Sequence, residues 1–212
     1  MSWPAMAPPD HLAGGLVLIA VDRIAPQRWR NGGGATRELW VWPSEGQAWQ
    51  CRISVADIDA DGPFSSFPGI ERWFAVVEGD GVVLALPGER RLLDPSSGPI
   101  RFDGADAPGC SLQGGPTRDL NLMVRRDAGH GGLEQALEAT EWITAAPVRA
   151  LFTTVALTLQ IDDADAARLP PWTLALSTHA AHQRWRITEP QASPGAWWLS
   201  FQPRPPAAAI DG

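Results

Sequence analysis

Apolar and polar residues alternate over short stretches along most of the chain, with a period of two rather than the 3.6 of a helix. Residues 16–21 form a dense apolar and β-branched run. Over 37–42 the alternation sets Leu39 and Val41 on one face of a strand and Trp40 and Trp42 on the other. Over 49–58 it sets Cys51, Ile53 and Val55 against Arg52, Ser54 and Ala56. The apolar runs 73–77 and 82–86 flank Glu78-Gly79-Asp80-Gly81, whose residues accept the positive φ of a tight turn, and the pattern predicts a hairpin. Further strands are predicted at 91–93, 99–102, 109–113, 120–125, 151–161, 172–177, 184–188 and 196–202. Residues 133–142 have a helix-like composition, but strands surround them and they are read as strand.

A dozen or more strands at roughly ten-residue spacing predict an all-β chain, with too many strands for one small barrel. Two stacked jelly-roll halves would use the length well. They meet near residues 127–148: an N-terminal half at 16–128 and a C-terminal half at 129–202, with strands open to sharing or swapping between them. The Pro- and Gly-rich start, 1–15, and the Pro- and Ala-rich end, 203–212, read as a disordered leader and tail.

Composition narrows the chemistry. The 21 glycines and 20 prolines disfavour long helices. All 17 cationic residues are arginine, and lysine and tyrosine are absent, which removes Schiff-base chemistry and any tyrosine acid or base. A net charge of −7 argues against nucleic-acid binding, which needs a basic footprint. The apolar run near the start is too short to span a bilayer and has neither a basic leader nor a cleavage site, so no membrane partner is expected. Cys51 and Cys110 lie far apart without a CxxC, which fits a reducing cytoplasm rather than a disulfide framework.

Three motifs stand out. The first is WRNGGGATRE at 29–38, whose glycines suit either a close approach to a ligand or a tight bend; no phosphate-loop signature is present. The second is the rigid apolar loop DGPFSSFPGIER at 61–72. The third is RDLNLMVRR at 118–126, in which Leu120, Leu122 and Val124 alternate with Asn121 and Met123; if the leucine side packs outward, Asn121 and Met123 line the interior. With WQCRISVA at 49–56 and Glu78-Gly79, these motifs resemble the HutD/Ves family of small bacterial bicupins. The resemblance runs from 29 to 126; beyond it only the strand pattern fits. The three-glycine form looks more like HutD than Ves. The resemblance implies two cupin barrels of RmlC-like jelly-roll type and a small-molecule pocket in the first. It also implies a link to histidine utilisation, in which the protein moderates pathway flux and binds an acid such as formylglutamate or urocanate. The Ves branch has no settled activity.

Many cupins hold a metal with converging histidines, yet residues 12–129 contain none. His179 and His182 are spaced to fall on opposite faces of a strand, so no metal and no cofactor are expected. Catalytic groups are scarce, and arginines inside a barrel suit carboxylates, which they bind with two parallel hydrogen bonds. Arg37 and Arg52 are equally candidates for a ligand carboxylate or for ion pairs, whereas Arg72 and Arg118 read as ion-paired, with Asp57, Asp61, Glu38 and Glu71 as available partners. The expected ligand site is Asn31, Thr36, Arg37, Arg52, Ser54, Phe64, Phe67, Asn121 and Met123, with no catalytic residue. The alternative is a metal-independent isomerase or hydrolase of a small acid, with Glu38, Asp61 or Glu71 as base. The 11 tryptophans read chiefly as packing groups. Oligomeric state stays open.

Overall fold

Frequent glycine and proline leave room for short strands only, and the computed structural model of the chain is built from them. It describes residues 10–12, 15–43, 48–136, 141–179, 182–188 and 195–205. In chain order the strands are β1 (Asp10–Leu12), β2 (Leu16–Ala20), β3 (Gln27–Arg28), β4 (Gly34–Trp42), β5 (Cys51–Ile58), β6 (Gly62–Pro63), β7 (Ile70–Glu78), β8 (Val82–Leu86), β9 (Glu89–Leu93) and β10 (Ile100–Asp103). They continue as β11 (Gly109–Leu112), β12 (Thr117–Arg125), β13 (Gly129–Gln135), β14 (Glu141–Thr144), β15 (Val148–Thr153), β16 (Leu157–Ile161), β17 (Ala167–Leu169), β18 (Thr173–Ser177), β19 (Gln183–Ile187) and β20 (Ala196–Pro203). The chain is all-β; the helical segments among the described residues are two 3-10 turns, Val21–Arg23 and Gly104–Asp106.

Two six-stranded sheets, β10-β7-β12-β5-β4-β3 and β1-β2-β18-β15-β20-β13, pack face to face, and each carries a four-stranded sheet on its other side: β6-β11-β8-β9 and β14-β19-β16-β17. The alternation decides this layering. Odd positions of β5 and β7 and even positions of β12 (Ile53, Val55, Trp73, Ala75, Leu120, Leu122) meet Phe152, Leu174, Trp197 and Phe201 in the central core. Opposite-facing residues fill the outer cores: Phe74, Val76, Val82 and Leu84 in the first half, Leu151, Leu159, Trp185 and Trp198 in the second. Trp142 stacks on Trp198 with ring centroids 5.0 Å apart, so these tryptophans serve packing. Strands β5 to β12 recur as β13 to β20 in the same spatial order, so the two halves repeat one topology.

Four expectations are corrected. The runs around Glu78–Gly81 do not form a hairpin: β7 pairs with β10 and β12, and β8 with β9 and β11. The turn instead carries the chain across the core from the inner to the outer sheet, so that Val76 and Val82 both enter the outer core of the first half. The strand exchange left open above does occur, since β2 pairs with β18 and so joins the second half; residues 10–12 of the leader expected to be disordered pair with β2. A register shift between Glu38 and Trp40 breaks the alternation, so Leu39, Trp40 and Trp42 all pack against the central core. The single strand expected over 151–161 is two, β15 and β16, separated by a bend where Thr153 Oγ1 donates to the Val155 carbonyl at 2.6 Å. Residues 133–135 and 141–142 are strand as read, while 137–140, 1–9, 13–14 and 206–212 lie outside the described residues.

Candidate functional site

The face of the first inner sheet that turns away from the central core is unusually polar for a buried surface. Thr36 of β4, Arg52, Ser54 and Ala56 of β5, Arg72 and Phe74 of β7, and Asn121 and Met123 of β12 share it, and they line a cavity of about 230 Å³. Cross-strand register places them side by side: Thr36 opposite Ala56, Ser54 opposite Asn121, and Arg52 and Arg72 on either side of Met123.

Two loops close the space. Phe64 and Phe67 come from the rigid 61–69 segment, which is tied down where Phe64 N–H donates to the Pro108 carbonyl at 3.0 Å and Phe67 N–H to that of Gly104 at 2.7 Å. Trp29 closes the opposite side. Its indole N–H donates to Thr36 Oγ1 at 2.9 Å, and its ring lies over Gly34. A Cβ at Gly34 would stand 2.2 Å from the Asp57 carbonyl and 3.0 Å from that ring, so the glycine motif permits a close approach between protein groups.

Arg72 dominates the electrostatics. It is 7% exposed, and its guanidinium lies 5.0, 5.8 and 5.2 Å from the rings of Phe64, Phe67 and Phe102. Nη2 donates to Asn121 Oδ1 at 3.0 Å, while Nε has no hydrogen-bond partner among the described residues. Burial and then the charge of Arg52 pull its pKa down to about 10, against a smaller opposing effect of Asp119. Arg52 Nε lies 3.1 Å from Glu38 Oε2, but the N–H is not aimed well enough for a hydrogen bond. Burial lowers the Arg52 pKa and raises that of Glu38, and each partner's charge opposes the shift. Arg28 adds a third guanidinium to the lining, which contains no carboxylate. Such a surface suits an anion that accepts hydrogen bonds in a partly desolvated space.

The structure thus brings together Thr36, Arg52, Ser54, Phe64, Phe67, Asn121 and Met123 of the expected site. It does not bring Asn31 or Arg37 there. Asn31 is exposed and its Oδ1 accepts the N–H of Gly33 at 3.1 Å, closing the glycine turn. Arg37 lies opposite Val55 on the other face of the sheet and pairs with Asp57, which Arg118 also contacts at 2.9 Å. The expectation that Arg72 is ion-paired is also corrected: among the described residues no carboxylate lies within ion-pair distance of it, and aromatic rings surround it instead. Arg72, Trp29, Arg28 and Phe74 were missed as site residues. For Arg72 the signal was present, since it shares the parity of Phe74 and is opposite to Trp73, Ala75 and Val77.

The carboxylates considered as bases all have partners: Glu38 with Arg52, Glu71 with Arg101 and Arg126, and Asp61 with the N–H of Leu112 at 2.8 Å. Burial pushes the Cys51 thiol up, which marks it as a core group. Among the described residues no group of three or more His, Cys, Asp or Glu is placed to hold a metal ion, and no helix is long and apolar enough to cross a membrane.

Comparison with known proteins places this geometry. A protein in the hutC 3′ region of Pseudomonas putida is 40% identical over 110 residues, 51% of this chain and 57% of that protein. Protein Ves of Citrobacter koseri is 37% identical over 108 residues, 50% of this chain and 56% of Ves. The chain therefore spans little more than half the length of these relatives. HutD from Pseudomonas fluorescens SBW25, solved in a formate condition, superposes with a TM-score of 0.77 at 25% identity, covering 90% of this chain and 100% of that one. A cupin 2 conserved barrel domain protein from Leptotrichia buccalis superposes with a TM-score of 0.55 at 9% identity, over 93% of this chain and 100% of that one, so the fold is cupin-like. The HutD family model matches residues 22–193, from the first 3-10 turn to beyond β19, and the chain belongs to the HutD family.

Proposed function

We propose that this protein binds a small carboxylate metabolite in the Arg72 cavity and acts in the cytoplasm as a sensor or regulator of histidine-degradation flux, each half of the chain being a cupin barrel. The observation that carries this reading is the state of Arg72. Its buried guanidinium is held among three phenylalanine rings, one nitrogen is satisfied by Asn121, and Nε has no partner among the described residues. A buried charge left this way is costly, and a ligand carboxylate is the group that completes it. Arg52, whose Nε–H is poorly aimed at Glu38, supplies the second guanidinium, Thr36 and Ser54 offer hydroxyls, and Asn121 orients Arg72. One fact about a relative supports the metabolic setting: the Pseudomonas putida protein lies in the hutC 3′ region. At about 230 Å³ the cavity suits a small acid rather than a polymer.

Isothermal titration of formate, urocanate and formylglutamate tests the reading. At least one acid binds with 1:1 stoichiometry, and Arg72→Ala weakens it about thirtyfold or more, the expected loss of a charge-assisted hydrogen-bond pair. Arg52→Ala weakens it by a smaller factor, and Arg37→Ala leaves the affinity unchanged. No binding up to millimolar acid, or an affinity indifferent to Arg72, would overturn it.

A further inference from the structure

The repeated topology pairs strands of the two halves. Strand β7 lies between β10 and β12, as β15 lies between β18 and β20. On β7, Arg72 stands two residues before Phe74, which packs into the outer core of the first half; on β15, Arg149 stands two residues before Leu151, which packs into that of the second. By parity both arginines point between the inner and outer sheets of their own half, and Arg149 is completely enclosed. The chain has thus placed a buried guanidinium on the same face of corresponding strands twice.

The two differ in what faces them. Arg72 opens on the cavity, whereas β19 lays Gln183 against Arg149. Gln183 Oε1 accepts from Arg149 Nη1 at 3.0 Å, from Ser177 Oγ at 3.3 Å and from the Trp185 indole N–H at 3.3 Å. Ser177 lies directly opposite Arg149 in the β15–β18 pair, and the His179 carbonyl, accepting from the same Nη1 at 3.1 Å, steadies the guanidinium. Three donors, one of them cationic, converge on a single oxygen, which is the environment a carboxylate oxygen seeks.

We propose that the second half contains a second oxyanion site, shaped for a small carboxylate, which the chain fills with its own Gln183 amide, so that only the first half takes a ligand from solution. The choice of ligand class rests on the carboxylate reading of the Arg72 cavity; the existence of the internal site does not.

The test uses the full chain, sodium formate as probe and sodium chloride at equal ionic strength as reference. Arg72→Ala removes the first site, and Gln183→Ala is added to it to vacate the second. Formate raises the melting temperature of the double variant progressively with its concentration, by about 5 °C at roughly ten times its Kd or above, and leaves Arg72→Ala alone unmoved. A folded double variant indifferent to formate overturns the proposal. Should the double variant not fold, Gln183→Glu decides, since it supplies the carboxylate covalently. A melting temperature at neutral pH equal to or above that of the unsubstituted chain supports the internal site, and a fall of more than about 5 °C overturns it. If the unsubstituted chain ignores formate while the double variant responds, the reading of the first cavity fails and the second site stands.

Discussion

Asp119 is completely enclosed, and its Oδ1 has no hydrogen-bond partner among the described residues, while Oδ2 receives only a long bond from the Thr117 hydroxyl at 3.4 Å. Burial raises its carboxyl pKa well above the ordinary range, with the Thr117 bond acting against it and the charge of Asp57 adding to the rise. The native chain therefore keeps a proton that the unfolded chain releases. Between the ordinary aspartate pKa and the raised native value the folded state binds more protons, so the contribution of Asp119 to stability declines as pH rises through that window and levels off above it. Asp119→Asn removes the effect. Calorimetric melting from about pH 4 to 9, a range that brackets the ordinary aspartate value, should show the unsubstituted chain losing ground steadily against the variant; a difference independent of pH would mean that Asp119 titrates alike in both states. Part of this residue-level picture was readable beforehand. Thr36 and Arg37 are neighbours on a strand, so only one can face the cavity, and the alternation of β12 put Asn121 and Met123 on the face away from Leu120 and Leu122. The aromatic cage of Arg72 was not readable, because Phe102 of β10 and the loop that carries Phe64 and Phe67 lie far apart in the chain and only the folded sheet brings them together.

Among the elements, the turn from β7 to β8 shows how local conformation and packing combine. Gly81 has φ +102°, and a Cβ there would lie 2.4 Å from the Leu93 carbonyl; Gly88 has φ +81°, with nothing within 4 Å. Both positions penalise an L side chain for its conformation, but only Gly81 adds a clash with backbone that cannot swing away. Gly88→Ala should cost about 1 kcal/mol and Gly81→Ala about 3 kcal/mol or more in urea unfolding, the first figure being the left-handed backbone penalty alone. Equal losses would show that the crossing is not sterically enforced. The same turn explains why the expected hairpin was wrong. Two strands that pair edge to edge and two that stack across a core both bury alternate residues, so hydrophobic pattern and turn chemistry cannot separate them. The break in alternation at Leu39 was hidden for a related reason, since one extra residue in β4 shows itself only against the register of β5.

For the whole molecule, the strand count and spacing made an all-β chain in two halves legible, and the four motifs from 29 to 126 led to the family. The membership of β2 was not legible, because an apolar run carries no record of which distant strand it will pair with. The two halves share a central core and a repeated order of strands, yet they treat their buried arginines differently. In the second half the chain's own amide faces Arg149, and in the first a cavity of about 230 Å³ faces Arg72. On the proposed reading, that asymmetry confines ligand recognition to one half of the chain. A crystal structure of the protein grown with saturating formate or the tightest-binding acid tests this most directly. The account predicts one carboxylate per chain, in the first half, with an oxygen about 2.9 Å from Arg72 Nε and Arg52 turned toward the anion. An acid bound elsewhere, or an Arg72 cavity that holds only water under those conditions, would contradict it.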